Sequence, residues 1–300
     1  MRKNYTNEYN IIRTGGIGFY EQKRGLIAVW GKEAVQFLNG LITNDVAKLD
    51  DNAQMLSAFP NAQGRLLATV RVLRKDDKIL FETEAGTHEK VLQNLFRFTF
   101  AGDFFVEDLS GNFRYFEIFN FKIPKIVSPD FIEFQNDFGT KVFVPNGAAE
   151  DFLNELKNEN TAGMSDELYE VLRIENGVPK YGVDADETTI VPELGIKNLI
   201  NYNKGCYIGQ EIIARIHFRG HIAKQLTGLI LENEAKPNDE LKSLDGKNAG
   251  RITSVTFSPQ LEKYIALAFV RYDYLAEGTE LKTGETAATV KHLPFVAQVS

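Results

Sequence analysis

Cysteine occurs once in these 300 residues, at Cys206. One thiol excludes an intrachain disulfide, and a single chain so endowed cannot supply the full thiolate set of a structural zinc site. Histidine is scarce as well. Of four histidines, His217 and His221 stand at the four-residue spacing that puts two ligands on one helical face. Gly220 weakens that helix and no Glu follows His217, so the zinc-protease pattern is absent. Basic residues are in deficit: 34 Lys and Arg against 41 Asp and Glu leave a net charge of −7. That balance argues against a dedicated nucleic-acid surface, though it leaves room for a local basic pocket.

Long apolar runs are missing too. No stretch reaches the roughly 20 apolar residues that cross a bilayer, and the polar segment Met1–Glu8 has no secretory h-region. A soluble, cytoplasmic protein in a reducing compartment is expected. There is no G-x-x-x-x-G-K-[ST] phosphate loop and no G-x-S-x-G elbow. Gly15-Gly16-Ile17-Gly18 lacks a preceding strand and reads as an entry loop. No internal repeat is visible.

What is present is core material: 43% hydrophobic residues, 22 of them Phe, enough for more than one domain. Strand patterns cover residues 25–30, 55–59, 65–73 and 78–82, with a turn at 60–64. Helical spacing joins Val35, Leu38, Leu41 and Ile42, and again Val91, Leu92, Leu95 and Phe96 behind Thr87 as N-cap. Aromatic strands at 104–108, 114–119, 131–134 and 141–144 precede a helix over 148–157. Their phenylalanines are core rather than a base-stacking platform, because no basic excess accompanies them. Ser165 caps a further helix that stops at Gly177. Strands at 224–231, 250–257, 264–271 and 286–291 then imply a small β-barrel or sandwich.

Chemistry gathers in two places. The irregular segment 177–195 ends in Pro192-Glu193-Leu194-Gly195, where a rigidly held carboxylate could accept paired N–H bonds from a fused heteroaromatic ring. The stretch Lys204-Gly205-Cys206-Tyr207-Ile208-Gly209-Gln210-Glu211 places the lone thiol between glycines, after a lysine and before a buried element, the kind of electropositive setting that favours thiolate. Read alone, Cys206 could equally be a small buried hydrophobe. Thr43-Asn44-Asp45 suits either a structural turn or the wall of a ligand site.

The octapeptide 204–211 resembles the K-G-C-Y-x-G-Q-E signature of the YgfZ/Iba57 family, folate-binding relatives of the glycine-cleavage T-protein (aminomethyltransferase) that assist iron–sulfur proteins. Phe37–Asp45 resembles its F-L-x-G-x-x-T-N-D segment, and Asn61–Arg65 its glycine turn. Arg173–Pro179 with Pro192-Glu193 resembles its R-x-E-x-G…P-x-E region. Gly250–Ser254 and Ala266–Arg271 resemble the C-terminal pieces.

The resemblance implies an α+β fold: two ferredoxin-like α+β units of the T-protein type and a C-terminal antiparallel β-barrel around a central folate-binding opening. Expected boundaries are 1–103 with 160–220, then 104–159, then 221–300. It further implies tetrahydrofolate or a derivative as cofactor, with Asn44, Asp45, Glu193, Lys204, Tyr207, Gln210, Glu211 and Arg215 around it. Cys206 would be the reactive or ligand-binding thiol, with no metal site of the chain's own. Partners would be folate and iron–sulfur client or cluster-carrier proteins, without direct nucleic-acid or membrane binding. Accessory work on iron–sulfur proteins is one implied function, and a tetrahydrofolate-dependent aminomethyl- or methyl-transferase the alternative. The aminomethyltransferase carries an acid pair where Ala68 and Thr69 align, and neither of these can act as a general acid or base near neutral pH.

Overall fold

The computed structural model describes residues 6–97, 99, 102–120, 128, 130–136, 139–157 and 160–296. In chain order the elements are α1 (Thr6–Arg13), β1 (Ile17–Gln22), β2 (Arg24–Trp30), α2 (Ala34–Asn39), β3 (Gln54–Pro60), β4 (Leu66–Lys75), β5 (Lys78–Glu84) and α3 (Ala85–Phe96). They continue with β6 (Phe105–Asp108), β7 (Phe113–Phe119), β8 (Ile132–Asn136), β9 (Gly139–Pro145), α4 (Ala149–Leu156), β10 (Thr161–Gly163), α5 (Asp166–Glu175) and α6 (Gln210–Arg219). The chain closes with β11 (Lys224–Leu231), β12 (Glu240–Ser243), β13 (Asn248–Ser258), β14 (Lys263–Arg271), β15 (Glu280–Thr283) and β16 (Thr286–Lys291). It packs as two compact units, whose described residues are 6–59 with 68–169 and 60–67 with 170–296.

The first unit holds two five-stranded sheets, in the orders β10-β1-β7-β9-β8 and β3-β4-β5-β2-β6. Side chains alternate across each strand, so each inner strand feeds two layers. Phe116, Ile118, Val142 and Val144 pack under α4 on Phe152, Leu153 and Leu156. On the opposite face, Tyr115 and Phe143 meet Leu26, Ala28 and Leu80 from the other sheet. The same period carries charge into that layer. Glu117 on β7 lies opposite Lys141 on β9, and Lys141 Nζ stands 3.9 Å from both Glu117 and Glu82. Arg24 Nη1 is 3.2 Å from Glu82. Burial pushes the Glu82 carboxyl up, but Lys141, Arg24 and Arg71 outweigh it and hold the group below the usual range.

Three expectations about the first unit need correction. Thr87 does not cap α3: β5 runs directly into a helix starting at Ala85, and the Thr87 hydroxyl, already inside the helix, donates to the Glu84 carbonyl at 3.2 Å. Strand β6 belongs not with the aromatic strands that follow it but with β2, pairing Trp30 with Phe105. Gly18 is no loop residue but lies inside β1, where a Cβ would come within 2.6 Å of Ile12 Cδ1 of α1. Glycine there lets the strand pass under the helix.

In the second unit six strands close into an antiparallel barrel, β11-β14-β13-β12-β15-β16. Strands β12 and β15 alternate exposed and buried residues over only four positions each, too short a pattern to stand out from the turns around them. Closure leaves no open edge. Leu229, Leu241, Ile252, Val270, Leu281 and Val290 fill the interior, while Leu226, Leu267 and Phe269 face outward onto Ile174 of α5 and Phe295. The chain is thus α+β with a closed six-stranded antiparallel barrel at its end. Among the described residues, no helix is long and apolar enough to cross a membrane.

Candidate functional site

Three chain segments meet in the second unit, and backbone chemistry brings them there. The first is the turn 61–65. The Asn61 side-chain oxygen accepts from the N–H groups of Gln63 (2.9 Å) and Arg65 (3.0 Å), and Gly64 takes φ +71°. Such a turn uses the short Asn side chain as a surrogate carbonyl. The second is the strap 189–195, laced to the turn by Leu66 N–H to Thr189 O at 2.8 Å and Val191 N–H to Gly64 O at 3.0 Å.

The third segment is the cysteine loop and α6. Gly209 precedes the helix at φ +80°, and a Cβ there would lie 2.3 Å from the Asn61 carbonyl oxygen. A Cβ on Gly64 would press on Ile213 at 3.2 Å, so the two glycines let turn and helix touch. Gly205 differs: its φ is not left-handed, and nothing lies within 4 Å of where its Cβ would be. The chain's own packing gives no reason for glycine beside the thiol.

The expected site residues divide by environment. Cys206 is exposed, so the buried-hydrophobe reading fails. Lys204 is buried, with its ammonium 5.2 Å from the centroid of the Tyr207 ring; burial raises the pKa of the Tyr207 hydroxyl. Gln210 donates its side-chain amide to the Gly205 carbonyl at 3.4 Å. Glu211 and Arg215 form an exposed pair at 3.2 Å, one turn apart on α6, worth a few tenths of a kcal/mol (about 0.3–0.5).

Glu193 sits in a one-turn 3-10 helix, Val191–Leu194, and is only 5% exposed. Its carboxylate accepts from the Ile190 N–H at 3.2 Å. The turn ends at Gly195, φ +66°, where a Cβ would strike the Gln225 amide at 2.3 Å. Burial raises the Glu193 pKa above its ordinary value, opposed by that N–H and by the charges of Lys224 and Arg65. The carboxylate is therefore buried and held in the 3-10 turn by one backbone donor.

Behind the strap lies a buried hub. Asp184 accepts from Arg173 Nη1 (2.7 Å) and the Lys180 N–H (3.0 Å) on one oxygen, and from the Thr253 and Ser254 hydroxyls, both at 2.6 Å, on the other. Arg173 also pairs with Glu170 at 2.7 Å and donates to the Val178 carbonyl at 2.9 Å. The irregular segment 177–195 is thereby tied to α5 and to the barrel. Sequence reasoning named Arg173 but not Asp184, two of whose four donors, the Thr253 and Ser254 hydroxyls, lie 69 and 70 residues away.

Asn44 and Asp45 belong to the first unit. There the Asn44 amide donates to Leu56 O at 2.9 Å, and its backbone N–H donates to the Ser57 hydroxyl at 3.0 Å. Asp45 accepts from Ala47 N–H and from the Asn39 amide. Both side chains thus serve the turn after α2. The pair His217 and His221 gathers no metal-binding group among the described residues: each ring stacks on a tyrosine instead, His217 on Tyr202 and His221 on Tyr272.

Residues 224–296 match the glycine cleavage T-protein C-terminal barrel domain. The whole chain has the T-protein fold: the glycine cleavage system aminomethyltransferase T of Bartonella henselae matches it with a TM-score of 0.84 at 20% identity, over 96% of this chain and 88% of that one. Among curated relatives, the aminomethyltransferase of Bdellovibrio bacteriovorus is 28% identical over 97% of this chain and 91% of its own length. The tRNA-modifying protein YgfZ of Hamiltonella defensa is 29% identical over 67% of this chain and 66% of its own. The mitochondrial iron-sulfur cluster assembly factor IBA57 homolog of Dictyostelium discoideum is 23% identical over 70% and 61%. By these likenesses the chain is a relative of the aminomethyltransferases and of the YgfZ and IBA57 proteins, with a T-protein C-terminal barrel domain at its end.

Proposed function

We propose that this protein binds a reduced folate and serves as an accessory factor for the assembly or repair of iron–sulfur proteins, with Cys206 as its working thiol. One observation carries the reading: a single packed unit holds an exposed Cys206 and, joined to its loop through the 61–65 turn, the buried acceptor Glu193. The residues suit the pterin of tetrahydrofolate, whose amino-pyrimidine edge presents adjacent N–H donors to a carboxylate. Glu193 would hold that edge, and Lys204, Tyr207 and Gln210 would shape the loop beside it. When bound, the folate supplies a carrier for one-carbon groups. Cys206 offers one sulfur, too few for a stable cluster, so the remaining ligands come from a partner or an external thiol.

The test is replacement of Cys206 by Ser in cells lacking the native protein. Iron–sulfur enzyme activity is expected to fall to the level of the empty vector, and sustained normal activity would remove Cys206 from the mechanism. A second reading, a tetrahydrofolate-dependent aminomethyl- or methyl-transferase, draws support from the near full-length likeness to an aminomethyltransferase. Against it, Ala68 is fully buried in β4 and has no proton to exchange. Turnover of methylated amines by purified protein with folate and no iron–sulfur partner would favour that second reading.

A further inference from the structure

The C-terminal half of α6 presents a surface that neither the folate nor the thiol chemistry uses. Residues 212–231 contain no Asp or Glu yet carry Arg219 and Lys224, together with two of the chain's four histidines and Arg215, whose charge is met by Glu211 one turn earlier. In a protein of net charge −7 this is a local reversal of sign. Cations in the last turn of a helix have an ordinary explanation, since they complement the partial negative charge of the C-terminus. That explanation does not extend to the rings among them.

Tyr202 stacks on His217 of α6, with ring centroids 3.6 Å apart and planes 11° from parallel. Phe218 stands nearly perpendicular to both rings, and 65% of it faces solvent. Three residues on, His221 stacks on Tyr272 at 4.3 Å, and Tyr272 is 49% exposed. Chain reach keeps the Cα atoms of Phe218 and His221 within about 11 Å of each other. Exposed aromatic rings held by neighbouring rings and set among arginines are what a single nucleic-acid strand needs: faces for bases to stack on and charges for its phosphates. The strand phenylalanines of the first unit lack that basic company, whereas α6 has it.

We propose that this face of α6 binds single-stranded nucleic acid, with Phe218 as a stacking platform and Arg219 as a phosphate contact. An acidic protein surface could also meet these charges, and competition by a polyanionic peptide distinguishes it from RNA. The proposal is independent of folate binding.

The test is fluorescence anisotropy of a labelled oligouridylate of about ten nucleotides, titrated with the full-length protein at several salt concentrations. Saturable binding is expected, with log K falling linearly in log salt by about 0.7 per phosphate contact. Phe218→Ala should weaken binding by about 5- to 150-fold without changing the salt slope, the loss of one stacked base. Arg219→Ala should weaken it and reduce the slope by about one contact. Both side chains are exposed, so circular dichroism and melting temperature serve as controls for folding. Three outcomes would overturn the proposal: no saturable binding at about 50 mM salt, a Phe218→Ala protein that binds as tightly as the native one, or displacement of the RNA by polyglutamate as readily as by unlabelled RNA. The last would mark the face as a site for acidic protein.

Discussion

Gly205 and Gly209 flank the same cysteine, yet different demands fall on them. Gly209 has a left-handed backbone, and any Cβ there would collide with the Asn61 carbonyl. Gly205 has neither constraint. Gly209→Ala should therefore cost at least about 1 kcal/mol of stability through strain at φ > 0, read as a lower melting temperature. Gly205→Ala should melt as the native protein does, while its support of iron–sulfur enzymes falls if a partner's backbone must approach the thiol. A Gly205→Ala protein normal in both respects would leave that glycine without a role. Glu193 gives a second residue-scale prediction. Its carboxyl is raised by burial, so it takes up a proton at a higher pH than an ordinary carboxylate as pH falls. Protonation removes an acceptor, and folate affinity should weaken as pH drops from neutrality toward 5, a loss absent in Glu193→Gln. The sign for stability is the reverse. With the folded pKa above the unfolded one, this group's contribution is fully present below the unfolded value and is lost as pH rises through the folded one.

At the scale of elements, buried charge does what apolar packing does elsewhere, by two different routes. In the second unit, Asp184 has four donors on two oxygens and no exposed surface to speak of, 1%. Asp184→Ala would leave Arg173 buried with one counter-ion fewer. Breaking a buried pair from one side costs about 3–5 kcal/mol, so equilibrium unfolding in urea should show a loss of that order. A loss under about 1 kcal/mol would mean the hub is replaceable by water. In the first unit, the period-two alternation of β2, β5, β7 and β9 carries Arg24, Glu82, Glu117 and Lys141 into the layer between the sheets. These residues interrupt the apolar stripe of their strands. The interruption is visible in the sequence, but the partners that make it tolerable lie on other strands and are not.

Over the whole molecule, legibility follows the range of the interaction. Long periodic strands such as β13 and β14, and the helices announced by Ser165 and stopped at Gly177, are written locally; the Ser165 hydroxyl does accept from Leu168 N–H at 3.2 Å. Elements of four residues, β12 and β15, take their identity from barrel closure, which no window of sequence contains. The site divides the same way. The cysteine loop and Glu193 stood out through residue type and spacing, whereas the turn that joins them is joined by backbone hydrogen bonds across more than 100 residues, as from Val191 to Gly64. Asn44 could be read as turn or as ligand wall, and its hydrogen bonds to Leu56 and Ser57 account for the turn.

The central claim is that this unit accepts a reduced pterin on Glu193 beside an exposed sulfur. Isothermal titration of tetrahydrofolate into the reduced protein near neutral pH tests it most directly. The account predicts saturable binding to one site, with Glu193→Gln weakening it by about 10- to 150-fold, the worth of a hydrogen bond to a charged group. Absence of binding by folded native protein, or equal affinity in the Glu193→Gln variant, would contradict it.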